Sequence, residues 1–437
     1  MRPATTHRLS DAAFAALATG GGGAAAVAEL CAAQASKHRL LVRLAAEESG
    51  SAARAYEALA ELEAAAPEEV GRCLRHPAVG AWALRACQGR ADPGRLAAVA
   101  LAAAVRAGVA CRLEVPVPGG RLMLPSLGLL TLPPGGPDRL PATVEPVPAE
   151  PVSGEPVPGE PVRGGGGEVR VGRHTFLVRP GRDGPGWQGL RRVPFGPDAA
   201  MTIDDLDPYR WPGGDAAGRL SEGRVRHWSA CLGQAWDVLQ ARHRGVAGEV
   251  ATAVSALTPI VTSSLEQRSA SARGAFGAVA LSDPADGTGL ALTLAHELQH
   301  AKLYALSDLV TLTAPDDGRR FYAPWRPDPR PLEGLLHGAY AHAGVAAFWR
   351  RHTADPERGR YAEVEFARWR EAAYQVTGTL LDSGGLTEKG THFVGTLRDT
   401  LARWRGEPVS PAAATQARLR AEEHRTAWTA ARPSETG

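Results

Sequence analysis

Apolar residues recur three and four positions apart from about Leu9 to Val109, in a stretch rich in Ala, Leu, Glu and Arg. This spacing places the apolar side chains on one face of an α-helix, as in the run LLVRLAAEESGSAARAYEALAELEAAA. The same texture returns from Ser221 to the C-terminus, with one β-like interruption, GAFGAVALS, at residues 274–282. The pattern predicts two helical regions, one at each end of the chain.

The middle of the chain has short β-type runs broken by Pro and Gly. They are RLEVPVPGGRLMLPSLGLLTLP and EVRVGRHTFLVRP, which are typical of strands joined by turns. The sequence therefore predicts a mainly α fold with a small β region, an α+β class. We expect a helical N-terminal domain at 1–111, a β-rich region at 112–220 and a helical catalytic domain at 221–437.

A pentapeptide repeat lies inside the β-rich region. From Glu145 to Gly164 the sequence is EPVPA, EPVSG, EPVPG and EPVRG. Recurrent proline disfavours both helix and sheet ladder, so the repeat indicates an extended, solvated linker, placed at 141–168. A Pro-rich ligand for a partner domain is the alternative.

Composition narrows the classes of function. The 437 residues are 44% apolar, enough for a large core, and 49 Lys+Arg against 47 Asp+Glu leave a formal charge of only +2. That balance argues against nucleic acid as partner. Five cysteines without CxxC pairing argue against a disulfide scaffold or a Cys-built zinc site. With no signal-like N-terminus and no long apolar span, we expect no membrane partner and a cytoplasmic protein.

The run LALTLAHELQHAKLYALSDLV contains His296, Glu297 and His300 as H-E-x-x-H. An i, i+4 pair on a helix puts both imidazoles on one face, where they can share one divalent ion. Glu297 lies beside them, within reach of a metal-bound water. The motif predicts a metal site.

Such a site needs a further protein ligand, and the best supply is the stretch PWRPDPRPLEGLLHGAYAHAGVAAFW. A new helix is predicted to begin at Pro331, with Glu333 and His337 on one face. Glu333 as third ligand, with Glu297 as general base, would make a gluzincin-type zinc peptidase. Three histidines would instead leave open positions on the ion. His342 is expected to point elsewhere, packed or at the surface.

The remaining histidines, which include His174, His227, His243 and His392, have no partner at ligand spacing. We expect them to be structural.

Three blocks in order, SARGAFGAVALS, LAHELQHAKLYALSDL and APWRPDPRPLEGLLHGAYAHAGVA, resemble the HExxH-motif peptide-modification proteins of actinobacterial gene clusters for ribosomally made peptides. The N-terminal runs HRLSDAAFAALATGGGGAAAVAEL and LRHPAVGAWALRAC are similar to the same proteins. The resemblance implies an iron- and 2-oxoglutarate-dependent peptide β-hydroxylase. It implies a precursor peptide as substrate, with a radical-SAM or other maturation enzyme of the same cluster as a possible partner.

The resemblance also implies roles for individual residues. Fe(II) would be held by His296, His300 and His337, with Glu333 as the alternative third ligand and zinc as an alternative or adventitious metal. The far carboxylate of 2-oxoglutarate needs a cation, and Arg330 or Arg326 is placed to supply it, with Arg330 favoured.

Two further residues after the motif are weaker candidates for the cosubstrate. Lys302 is turned about 200° around the helix from His300 and ranks below the arginines. Tyr304 shares the face of the histidines and can donate a hydrogen bond. Glu297 would orient a bound water or the cosubstrate in the oxygenase, rather than act as a base.

The β-like run before the motif is either an exposed edge strand, which would pair with an extended peptide, or a buried central strand. Two other functions stay open at this stage. They are a zinc peptidase that processes the precursor and a non-catalytic scaffold of the maturation cluster.

Overall fold

The computed structural model describes residues 6–146, 166–262 and 267–431. It is mainly helical, with 55% helix and 15% strand, which confirms the predicted α+β class. The helices of the described ranges are α1 Asp11–Ala18, α2 Gly23–Glu47, α3 Gly50–Ala65, α4 Pro67–Arg75, α5 Pro77–Cys87, α6 Leu96–Ala107, α7 Glu222–Arg242, α8 Arg244–Ala253, α9 Gly287–Ser307, α10 Leu332–Arg350, α11 Gly359–Asp382, α12 Glu388–Arg405 and α13 Pro411–Ala430.

The strands are short and lie mainly in the predicted β region. They are β1 Cys111–Pro116, β2 Arg121–Leu124, β3 Gly128–Thr131, β4 Arg139–Pro146, β5 Gly167–Val171, β6 His174–Val178, β7 Trp187–Gly189, β8 Arg191–Pro194, β9 Ala200–Ile203, β10 Ala256–Pro259, β11 Ser269–Ala270 and β12 Ala278–Leu281. Within the described ranges they form three sheets, in the orders β1-β4-β5-β6, β2-β3-β7 and β11-β12-β10-β9-β8.

The chain divides into two compact units, each built from separate stretches of sequence. The first contains Met1–Thr6, Cys31–Asp237 and Ala253–Gly287, and the second His7–Leu30, Val238–Thr252 and Thr288–Gly437. This division reflects which residues pack together, whereas the three predicted ranges followed changes in composition and apolar spacing along the sequence. Those ranges therefore stay a prediction about sequence organisation.

The core of the first unit is organised around α6. Its sequence LAAVALAAAV is apolar on every side, and all ten residues are buried. A helix that is apolar all round needs partners on all sides. The partners of α6 are α3, α4 and the strands β1, β2 and β4. The helix ends at Gly108, whose φ of 63° gives the left-handed conformation common after a helix.

The strand β12, within the run at 274–282, is a central strand. It lies between β10 and β11, pairs parallel with β10, and all four of its residues are buried. The edge-strand interpretation is therefore wrong and the buried alternative is right. The sequence AVAL has no polar alternation, as expected for a strand covered on both faces.

The predicted linker at 141–168 is too long at both ends, because its ends belong to strands. Strand β4 continues to Pro146, strand β5 begins at Gly167, and the two pair as antiparallel neighbours. Pro146 is the last residue of its strand, where its missing N–H is tolerated. Most of the pentapeptide repeat, at 147–165, lies outside the described residues.

In the second unit, α11 packs against α10, α12 and α13.

Within the described residues, no single helix is long and apolar enough to cross a membrane, although α1 and α2 pass that test when taken together across a bend of 114°.

Candidate metal centres

Helix α9 carries the HExxH motif and presents both histidines on one side. The ring centroids of His296 and His300 lie 4.9 Å apart, with the rings nearly perpendicular. Glu297 is buried, and its Oε1 lies 3.9 Å from Nε2 of His296. The helix therefore pairs the two imidazoles, as the spacing predicts, and holds a carboxylate next to the first of them.

Helix α10 begins directly after Pro331, as predicted, and supplies a third histidine. His337 is buried, and its Nδ1 lies 3.4 Å from Nδ1 of His300. The ring of Tyr304 lies 4.2 Å from the ring of His337. Glu333, one turn earlier on α10, is exposed. Of the two candidate third ligands, the structure brings His337 to the motif.

His342 also lies beside the motif, so the expectation that it points elsewhere is wrong, whereas the expectation of a packed histidine is right. Its ring centroid is 5.4 Å from that of His296, and the ring stacks on Trp325 at 4.6 Å. Its Nδ1 lies 2.9 Å from the carbonyl oxygen of Gly338. Because His337 meets His300 and His342 meets His296, α9 and α10 run in opposite directions past each other. We call the four residues His296, His300, His337 and His342 the histidine cluster.

Burial favours the neutral form of His296, His300 and His342, which is the form that binds metals. It lowers the pKa of His296, and it lowers that of His300 well below its usual range, with smaller contributions from the neighbouring histidines and Arg330. Burial also lowers the pKa of His342 to about 3. These three imidazoles are therefore unprotonated near neutral pH.

The spacing of two histidines suits a shared ion. Two nitrogens at about 2.1 Å from one metal, at a tetrahedral angle, are roughly 3.4 Å apart, which equals the Nδ1–Nδ1 distance of His300 and His337. His296 does not complete the set as it stands. In the described ranges, only a different group of residues brings three ligand atoms within 4.8 Å of one another. The three histidines therefore do not form a closed three-ligand set in this structure.

Of the two candidate arginines, Arg330 lies nearer to the histidines. Its charge contributes to lowering the pKa of His300, and its guanidinium lies over Gly334, where a Cβ would come within 3.0 Å of Nε. Its side chain is 31% exposed, and its Nη1 lies 3.5 Å from Oδ2 of Asp328. Arg326 is 44% exposed, and its Nε donates to Oδ1 of Asp328 at 2.6 Å.

Lys302 is placed on a different side of α9. Its ammonium donates to Oε2 of Glu249 at 2.7 Å and to the carbonyl oxygen of Gly21 at 2.6 Å. The Lys302 and Glu249 side chains are only 3% and 5% exposed. Lys302 therefore forms a buried ion pair between α8 and α9, apart from the histidine cluster.

An arginine-lined cleft of about 560 Å³ lies between α11, α12 and α13. Arg405, on its wall, pairs with Glu371 at 2.7 Å. Three others, Arg368, Arg418 and Arg425, make no ion pair with a carboxylate of the described residues. Pro324 lines this arginine cleft and is followed in the chain by Trp325, which stacks on His342. One loop therefore contributes to both the cleft and the histidine cluster.

A second group of metal-binding side chains lies in the first unit and was missed by the sequence analysis. His76, between α4 and α5, meets Asp204 and Asp207, which follow β9, and all three are buried. One ligand atom from each lies within 4.8 Å of the others, so the group could hold a metal ion. Burial lowers the pKa of His76 to about 4, while burial and then Asp207 raise the pKa of Asp204.

A sequence signal for this group exists. The segment DDLD directly follows a strand of parallel pairing, and the carboxyl ends of such strands are frequent ligand sites. The partner histidine, however, is more than a hundred residues away in the chain.

The chain matches no model of a known protein family, and no curated protein is detectably similar to it.

Proposed function

We propose that this protein is an iron- and 2-oxoglutarate-dependent oxygenase that hydroxylates an unactivated β-carbon of a peptide. Iron(II) would be held by His296, His300 and His337. The observation that carries the proposal is the 3.4 Å contact between His300 and His337, together with the exposure of Glu333. A set of three histidines leaves positions on the ion for a bidentate keto acid and for oxygen, whereas a gluzincin requires the glutamate.

The bound iron and keto acid supply the oxidising power, as O2 and 2-oxoglutarate are converted to succinate, CO2 and the hydroxyl group of the product. The side chains of this protein bind and orient. The guanidinium of Arg330 binds the far carboxylate of the keto acid, since its planar fork matches two carboxylate oxygens. Glu297 accepts a hydrogen bond from a water or other donor next to His296. Tyr304 packs on the ring of His337 and fixes its orientation.

The arginine cleft supports a peptide as substrate. Its arginines outside ion pairs suit a segment with several acidic residues, although Glu371 and Glu422 also line the cleft. The loop at Pro324 and Trp325 joins the cleft to the histidine cluster. A long substrate can therefore bind in the cleft while another part reaches the histidines. Because exposed charges are screened, we expect peptide affinity to fall as salt is raised.

The test is anaerobic reconstitution with Fe(II), followed by O2, 2-oxoglutarate and a precursor peptide of the kind that the resemblance implies. We expect the peptide to gain the mass of one oxygen atom, with succinate formed in equal amount. The Glu297→Gln variant should keep much of this activity. A peptidase should lose nearly all of its rate on the same change, because its water-activating base is gone.

Two results would overturn the proposal. Cleavage of the peptide without succinate would identify a zinc peptidase. No change in the peptide and no succinate, with iron bound, would favour a scaffold of the maturation cluster.

A further inference from the structure

The group formed by His76, Asp204 and Asp207 lies in the interior of the first unit, whereas every residue assigned to the proposed oxygenase belongs to the second unit. We propose that these three residues form a second metal centre, which binds a divalent first-row transition-metal ion such as zinc or manganese. The ion would join the corner between α4 and α5 to the loop that follows β9.

The first argument is the environment of the imidazole. His76 is only 7% exposed, and in the described part of the chain neither Nδ1 nor Nε2 has a hydrogen-bond partner. A neutral imidazole always carries one N–H donor and one lone pair, and leaving both unused in the interior is unfavourable. Nε2 lies 3.9 Å from Oδ2 of Asp204, too far for a hydrogen bond. A metal ion between the two atoms would give the lone pair its partner.

The second argument is that the carboxylates are already oriented. Oδ1 of Asp204 accepts from the backbone N–H of Asp207 at 3.0 Å. Oδ1 of Asp207 accepts from the N–H of Tyr209 at 2.9 Å, and its Oδ2 accepts from Nη2 of Arg95 at 2.6 Å. Hydrogen bonds of this kind from surrounding groups position the ligands in metal sites. Each carboxylate keeps a free lone-pair direction, because a carboxylate has about four acceptor positions.

The third argument is charge. Arg95 makes a direct ion pair with Asp207, which leaves the buried Asp204 without a cation at hydrogen-bond distance among the described residues. Two carboxylates in the interior are stable only when paired, protonated or bound to a metal. A divalent ion bound by both carboxylates would compensate the negative charge that Arg95 does not neutralise.

The donor set selects the class of ion. One imidazole nitrogen and two carboxylate oxygens suit zinc, manganese or iron(II), which accept mixed N and O ligands. Calcium prefers six to eight oxygens, and the group offers no thiolate for softer ions. A centre with every protein ligand buried would stabilise the fold of this unit.

The experiment uses the full chain carrying His296→Ala and His300→Ala, so that zinc at the histidine cluster does not contribute. After chelation, the protein is dialysed against zinc, and bound metal is measured by mass spectrometry. We expect one zinc per chain and a rise in the melting temperature. Adding Asp204→Asn, which keeps the acceptor for the backbone, should weaken zinc binding by at least about tenfold and abolish the rise.

Asp198→Asn is the matched control, since Asp198 is exposed and lies a few residues earlier in the chain. It should bind zinc as tightly as its parent. His76→Gln serves as a second test in case Asp204→Asn does not fold, as judged by circular dichroism. The proposal is overturned if the parent binds no zinc, or if a folded Asp204→Asn or His76→Gln variant binds it with unchanged affinity.

Discussion

The buried ion pair of Lys302 and Glu249 tests whether Lys302 on α9 stabilises the fold or binds the cosubstrate. Lys302→Met keeps the length of the side chain and removes its charge. Glu249 then loses the ammonium at 2.7 Å and keeps only the N–H of Gly23, also at 2.7 Å. The variant therefore leaves a buried carboxylate with one hydrogen bond and no counter-charge.

Breaking a buried ion pair on one side costs about 3–5 kcal/mol of unfolding free energy. Both side chains here are at most 5% exposed, so solvent does not screen the loss. For a protein of ordinary stability, about 5–15 kcal/mol, this is a large fraction of the total. Glu249→Gln keeps the acceptor for Gly23. The double variant Lys302→Met with Glu249→Gln contains no unpaired charge and should be more stable than Lys302→Met alone.

Urea unfolding of the wild type, both single variants and the double variant gives the coupling free energy directly. The Michaelis constant for 2-oxoglutarate, measured on the folded fraction, supplies the complementary readout. The reasoning is refuted if Lys302→Met changes the unfolding free energy by less than about 1 kcal/mol. It is refuted equally if that variant stays stable and loses affinity for 2-oxoglutarate, since Lys302 would then bind the cosubstrate.

Three other predictions concern different parts of the chain. His337→Ala should lower the amount of iron retained after reconstitution and gel filtration far more than Glu333→Ala, because of these two residues only His337 contacts the motif. Equal losses of iron in the two variants would contradict this ligand assignment. Arg330→Ala should raise the Michaelis constant for 2-oxoglutarate by about tenfold or more, whereas Arg326→Ala should change it little. A larger increase for Arg326→Ala in kinetic assays would show that Arg326 binds the far carboxylate instead. Burial lowers the pKa of His38 to about 4 from 6.5, so the unfolded state binds more protons between these values. The contribution of this one histidine should therefore lower the unfolding free energy by roughly 2 kcal/mol at pH 5, relative to pH values above 6.5. Urea midpoints at pH 7 and pH 5 should fall less in His38→Gln than in the wild type, and an identical fall would exclude this contribution.

Local sequence patterns predicted the parts of the site that lie within one helix. The i, i+4 spacing of His296 and His300 determines their placement on one face once α9 forms. The position of His337 required more, because spacing alone left Glu333 equally placed on α10. The structure separates the two through the way α10 packs beside α9, which brings His337 to His300 and leaves Glu333 in solvent. Periodicity within a helix carries no information on that packing.

The proposed second centre shows where sequence patterns fail in principle. His76 is a lone histidine before a proline, with no second ligand at metal-binding spacing beside it in the sequence. Asp204 and Asp207 look like ordinary acidic turn residues after a strand. They meet because β9 pairs parallel with β10, which directs the acids at its carboxyl end into the interior, where the corner between α4 and α5 also lies. Strand pairing and helix packing must both be known before the three side chains can be grouped. Burial then distinguishes them from turn acids, because surface carboxylates are hydrated, whereas interior carboxylates such as Asp204 and Asp207 must be paired, protonated or bound to a metal.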